Sequence, residues 1–393
     1  MDSRTEACGV VMIQVSNKAP SQSPSTSTNY ITMDFSEYTG PSAEWLALEP
    51  TLPAVPKDLS VEQLKALLNK GREESAAQDM IDQGLSSLVQ MHDHTVIARD
   101  GTALEARTYR PAGIPISERL PVYVHLHGGG FLFGTLASED ATCSRIVASR
   151  AENGTPVVVF NINYRHTPEH RYPTAWNDTE DAFVWLHEHI AEVGGLADQV
   201  VVGGISAGAW LTASLALAQL RGDDKRIAAC PKIAGQVLMI PCLVQWDHYA
   251  PRTEMLKSPD LSSYVQCADA PILPVTRIKL FSALLGIENA KDSAKDRRMG
   301  PGNATAEEVK GLPPTTLGIA GNDPLRDEGI FYGKHLAENG IPTNIHVFRG
   351  VPHGFRRYGD KLPGSKKWDE VMSGGITWAL EKPAAGPFVI NSD

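Results

Sequence analysis

Six near-continuous apolar runs recur along the chain: LPVYVHL at 120–126, PVVVFNINY at 156–164, QVVVGGI at 199–205, GQVLMIPCL at 235–243, TTLGIAG at 315–321 and TNIHVFRG at 343–350. Their length and their β-branched content predict strands buried on both faces. Between them lie segments of mixed polarity that predict helices: 138–152, 173–190 with Pro173 near its start, 207–220, a segment after Arg326, and 366–380. Alternation of this kind predicts an α/β fold, with a mostly parallel sheet and helices on both faces. Upstream, HTVIARDGTALEARTYRP at 94–111 reads as two strands about an Asp100-Gly101 turn.

Two regions depart from the alternation. Residues 243–305 mix aromatics, prolines and charges, as in QWDHYAPRTEMLKSPDLSSY. An insertion of that size in an α/β domain predicts a lid. Before the core, helices are expected near 42–48 and over 61–88. The second carries a stripe of Leu64, Leu67, Leu68, Met80, Ile81, Leu85 and Leu88, with a break expected near Gly71. The stretch SNKAPSQSPSTSTN at 16–29 reads as flexible. The expected organisation is a tail over 1–35, N-terminal helices contributing to the lid over 36–91, and a core over 92–385.

Composition narrows the class. With 393 residues, 42% of them hydrophobic, the chain can bury a large core, and its net charge of −10 argues against nucleic-acid binding. Five cysteines, Cys8, Cys143, Cys230, Cys242 and Cys267, are widely spaced without a C-x-x-C pair. Free thiols in a reducing compartment are expected, with no disulfide scaffold and no zinc site. The N-terminus makes a poor signal peptide, and no segment has about 20 consecutive apolar residues. A cytoplasmic protein without a membrane span is expected.

The chemistry gathers at strand ends. GGISAGAW at 203–210 places Gly204, Ser206 and Gly208 in a G-x-S-x-G pattern, a sharp strand-to-helix turn that raises a serine hydroxyl above a sheet. HLHGGGFLFG at 125–134 leaves successive backbone N–H groups able to converge on an oxyanion. It lacks the endings of phosphate- or dinucleotide-binding loops. GNDPLRDE at 321–328 puts Asp323 just after a strand, and RGVPHGF at 349–355 puts His353 just after the next. Asp327 and Glu328 are rival acids, but they fall inside the predicted helix. Ser206, Asp323, His353 is the chain order of an α/β-hydrolase triad.

These motifs, with YRHTPEHRYP at 164–173, resemble the hormone-sensitive-lipase-like branch of the α/β-hydrolases, which includes carboxylesterases and arylacetamide-deacetylase-like proteins. The resemblance spans roughly residues 90–385. It implies that Asp323 is the triad acid and that Gly129, Gly130 and Ala207 supply the oxyanion N–H groups. The usual form has Leu-Ala where this chain has His166-Thr167. Arg165 and Glu169 are expected to pin the loop before the next helix, and His127 to shape the glycine loop without taking a proton.

A serine hydrolase of carboxylic esters is the expected function. His353 would activate Ser206, Asp323 would orient the imidazole, and an acyl-enzyme would form without metal or cofactor. An acyltransferase or cyclase using the same triad is the alternative. A non-catalytic receptor on the same fold is another, disfavoured because His353 is present where such receptors lack the base. Phe131, Leu132, Phe133 and Trp210 flank the expected site, Trp246, Tyr249, Tyr264 and Phe281 fall in or near the expected lid, and an apolar acyl or aryl ester is the expected substrate. The natural substrate and the oligomeric state stay open at this point.

Overall fold

The structure, a computed structural model, describes residues 32–53, 56, 58–287 and 295–392. Of the expected flexible tail, the part through residue 31 lies outside the described residues. Among the described residues, nine strands form one sheet in the order β1-β2-β4-β3-β5-β6-β7-β8-β9. They are β1 (Val89–Ile97), β2 (Ala103–Pro111), β3 (Leu120–Leu126), β4 (Val158–Ile162), β5 (Gly195–Ile205), β6 (Gly235–Met239), β7 (Thr315–Asn322), β8 (Thr343–Pro352) and β9 (Ile390–Ser392). The β1–β2 and β2–β4 pairs are antiparallel and the remaining pairs are parallel. The α/β expectation therefore holds. The first hairpin is longer than expected: β1 starts at Val89, since its early residues Gln90 and Met91 pair with Arg110 and Tyr109 although neither is buried.

The helices are α1 (Ala43–Leu48), α2 (Val61–Asp82), α3 (Leu136–Glu152), α4 (Thr174–Glu188), α5 (Ala207–Arg221), α6 (Lys225–Ala229), α7 (Ala250–Thr253), α8 (Ser263–Gln266), α9 (Val275–Leu285), α10 (Ala306–Val309), α11 (Arg326–Glu338) and α12 (Gly364–Leu380). The pleat sends alternate side chains to opposite faces. Val200 and Val202 join one core with Phe183, Leu211 and Phe331, while Val201 joins the other with Ile146, Trp368 and Ile376. Helices α4, α5 and α11 thus cover one face, and α3 and α12 the other. Sandwiched strands need no polar side, which is why the runs are nearly continuous in apolar residues.

Helix α2 starts on a capping box, in which Ser60 Oγ accepts from Gln63 N–H and Gln63 Oε1 from Ser60 N–H. It runs through Gly71 without the expected break, because a single glycine costs a helix only about 1 kcal/mol. The apolar stripe is also not a buried face: Met80 and Leu85 are buried, but Leu67, Ile81 and Leu88 are exposed. Between β6 and β7 the chain makes a long excursion through α7–α10. The N-terminal segment is stitched to it: Met33 N–H donates to Met255 O at 2.9 Å and Lys257 N–H to Met33 O at 2.9 Å. The same segment then crosses to β8, where Ser42 N–H donates to Gly350 O at 2.8 Å. Among the described residues, no helix is long and apolar enough to cross a membrane.

Candidate active site

The parallel strands end together at one sheet edge. Leu126 is level with Gly204, Ile205 with Met239, and Asn322 with Pro352. Ser206 follows β5 directly and holds φ 57° and ψ −114°, a conformation that costs a non-glycine residue roughly 1–3 kcal/mol. The turn is held by Ser206 N–H donating to Met239 O at 2.8 Å. Its neighbours must be small. A Cβ on Gly204 would lie 2.4 Å from the Gly208 carbonyl carbon, and one on Gly208 would lie 1.9 Å from Leu126 O.

His353 Nε2 is 2.9 Å from Ser206 Oγ, and His353 Nδ1 is 2.7 Å from Asp323 Oδ2. Asp323 is 1% exposed, and its Oδ1 accepts from Leu325 N–H at 2.9 Å. The three residues from separate motifs are therefore brought into one hydrogen-bonded line. The rival carboxylates face elsewhere. Asp327 accepts from Arg326 Nε at 2.8 Å and from Ser263 N–H at 2.7 Å. Glu328 accepts from Leu243 N–H at 2.7 Å, Val244 N–H at 3.2 Å and the Tyr264 hydroxyl. Burial pushes the Glu328 pKa up to about 7.

Gly129 and Gly130 sit in the loop after β3 with φ of 140° and 62°. Both line the same cavity as Ser206 and Ala207, the first residue of α5. A Cβ on Gly130 would stand 2.3 Å from the Phe281 ring of α9. His127 is fully buried, with Nδ1 3.1 Å from Gly128 O and its ring stacked on Tyr164 at 4.3 Å. Burial pushes its pKa down to about 4, so it stays neutral near pH 7. Arg165 grips Asp178 of α4 with contacts down to 2.6 Å and also reaches Asp100 at 2.7 Å. Glu169 turns to Lys65 of α2 at 2.6 Å.

Sequence reasoning missed how α2 supports this loop. Arg72 Nη1 donates to Gly128 O at 3.0 Å, and Arg72 Nη2 donates to buried Glu139 at 2.8 Å. Asn69 Oδ1 accepts from Gly134 N–H at 2.9 Å, and Glu73 accepts from Thr135 Oγ1 at 2.7 Å. Lys65 Nζ donates to Thr167 O at 3.0 Å. The signal was present as a polar stripe at helical spacing: Lys65, Asn69, Arg72, Glu73.

The cavity above Ser206 has a volume of about 590 Å³, and its walls include Phe131, Phe133, Trp210, Trp246 and Phe281. Leu132, expected to flank the site, does not line the cavity, and Tyr249 and Tyr264 lie in the excursion after β6 as expected but off the cavity. Leu132 is fully buried in the loop, and Tyr249 and Tyr264 pack on each other at 4.4 Å beside Glu328, where the Tyr264 hydroxyl finds its acceptor.

Residues 123–357 match a protein family described as "alpha/beta hydrolase fold". Esterase LipI of Mycobacterium tuberculosis is 34% identical over 271 residues, which are 68% of this chain and 77% of the relative. Ethyl acetate hydrolase of Pseudomonas putida is 31% identical over 274 residues, 68% of this chain and 76% of the relative. Among solved structures, vibralactone cyclase shares the fold with a TM-score of 0.76 at 24% identity, covering 88% of this chain and 96% of that one. The chain belongs to the hormone-sensitive-lipase-like branch of the α/β-hydrolases and is a carboxylic ester hydrolase.

Proposed function

We propose that the protein hydrolyses esters of apolar small molecules through a serine acyl-enzyme. The observation that carries this reading is the line Ser206–His353–Asp323, with spacings of 2.9 and 2.7 Å, opening on an aromatic-walled cavity. His353 takes the Ser206 proton as Oγ attacks the acyl carbonyl, then returns it to the leaving alcohol. Asp323 orients the ring and stabilises its charged form. The backbone N–H groups of Gly129, Gly130 and Ala207 receive the oxyanion, and water attacks the acyl-enzyme in the second half-reaction. The chain then has all its reacting groups without a metal or cofactor. The excursion after β6 and the N-terminal helices act together as a cover, with Phe281 close against Gly130 and Leu68, Gly71 and Arg72 of α2 in the cavity wall.

A series of p-nitrophenyl esters of increasing acyl length tests the reading. Wild type is expected to turn them over, and a serine-reactive phosphonate is expected to label Ser206. Ser206→Ala should lose both properties while keeping its fold by circular dichroism. Full activity in the alanine variant would remove the mechanism.

A further inference from the structure

The cavity lining carries a charge imbalance that ester hydrolysis does not need. Five arginines, Arg72, Arg145, Arg277, Arg356 and Arg357, and three carboxylates, Asp79, Glu139 and Asp369, contribute to it. Each carboxylate has an arginine: Glu139 with Arg72 at 2.8 Å, Asp79 with Arg145 at 2.9 Å, and Asp369 with Arg356 at 2.6 Å. Arg277 and Arg357 have no carboxylate partner among the described residues. Each has one bond to backbone: Arg277 Nη1 donates to Ile272 O at 3.0 Å, and Arg357 Nε to Gly354 O at 3.1 Å. A guanidinium has five N–H donors and remains charged, so most of their donors face the cavity and solvent and are open to an incoming acceptor.

Their placement matters. A Cβ on Gly354, next to His353, would stand 3.0 Å from Arg357 Nη2. A Cβ on Gly129 would stand 3.0 Å from Arg72 Nη1. Arg357 is exposed at the rim of the cavity and Arg277 is half-buried, and the positive charges of Arg72 and Arg277 both act on Arg357. These like charges share one cavity wall with Ser206 and oppose one another there, screened by solvent at Arg357. An anion placed among them would relieve that repulsion and accept from the planar forks. General basicity does not explain the excess, since the chain as a whole carries a charge of −10.

We propose that Arg277 and Arg357 form an anion subsite in the wall of the cavity that holds Ser206, and that the enzyme prefers esters joining an apolar body to a carboxylate or similar anionic group. This rests on the serine-esterase reading above. The anion could belong to the acid or to the alcohol of the ester, so the test has two arms. Mono-p-nitrophenyl esters of glutaric, adipic and suberic acids, each against the p-nitrophenyl alkanoate of equal length, place the charge on the acyl side. 4-Acetoxybenzoate against 4-tolyl acetate places it on the alcohol side. Rates are taken after subtraction of the Ser206→Ala rate.

The expected result is a ratio of kcat/KM, charged over neutral, above one in at least one arm. The preference should lie in KM and should weaken as salt is added. Arg277→Met and Arg357→Met should lower the ratio by about tenfold or more, and Arg277→Lys and Arg357→Lys should keep part of it. A ratio below one in both arms, or a ratio that none of the four variants moves, overturns the subsite while leaving the esterase reading intact. Failure of wild type to turn over either member of any pair overturns both.

Discussion

Three carboxylates within DPLRDE, Asp323, Asp327 and Glu328, perform three different tasks because each meets a different neighbour. Asp323 receives the His353 ring, so Asp323→Asn should cut kcat on the order of 10⁴-fold, as loss of the orienting acid does in serine proteases. Asp327 neutralises Arg326, and both side chains are fully buried. Removing one partner of a buried ion pair costs about 3–5 kcal/mol. Asp327→Asn should therefore lower the denaturant midpoint sharply, while the folded fraction keeps kcat within about tenfold. Steady-state kinetics and urea titration of both variants check the ranking, and a larger kcat loss in Asp327→Asn would reverse it. The sequence favoured Asp323 because it alone of the three precedes the helix. It could not reveal that Asp327 turns back to Ser263, since that contact joins segments far apart in the chain. The elbow was more legible. Gly204 and Gly208 are dictated by backbone atoms within a few ångströms, and such needs are written directly into residue type.

Whole elements were read from the sequence with uneven success, and the reason is physical. Buried strands such as β4 and β5 had to be apolar on both faces, so their runs stood out. The short β9 pairs only through Ile390, Asn391 and Ser392 at the sheet edge and has no such pattern. Helix α2 was read by its leucines, yet the glycine loop is held by its polar side. Arg72 is the central contact, because it bonds both Gly128 O and Glu139. Arg72→Met should lower kcat by about 10- to 100-fold through loosened oxyanion donors, with a smaller change in KM. It should also lower the melting temperature, although Glu139 keeps its 3.0 Å contact with His125. Stopped-flow acylation rates and thermal unfolding measure the two effects. An unchanged acylation rate would leave α2 a packing element only.

At the scale of the molecule, α11 fastens the excursion after β6 to the core, through Asp327 on Ser263 and Glu328 on Leu243, Val244 and Tyr264. This attachment has a pH dependence. Glu328 holds its proton up to about pH 7 in the folded protein, against 4.5 for a freely solvated glutamate. Between these values the unfolded chain has released the proton and the folded chain has not, so stability falls as pH rises through the window. The full effect, about 3 kcal/mol, remains above it. Glu328→Gln keeps acceptors for the two N–H groups and should remove this decline. The difference between variant and wild type in urea unfolding, measured from pH 4.5 to 8, isolates the group, and parallel curves would contradict it. The N-terminal stitches carry a consequence for biosynthesis. Glu37 is bonded to Arg349, 312 residues later, and Phe35 and Trp45 pack on Phe331 and Tyr358. On a ribosome these aromatic side chains emerge about 300 residues before their partners and wait on the order of tens of seconds for them. Until those partners are made, the segment carrying Phe35 and Trp45 is sticky, and that segment is where a chaperone would hold the nascent chain.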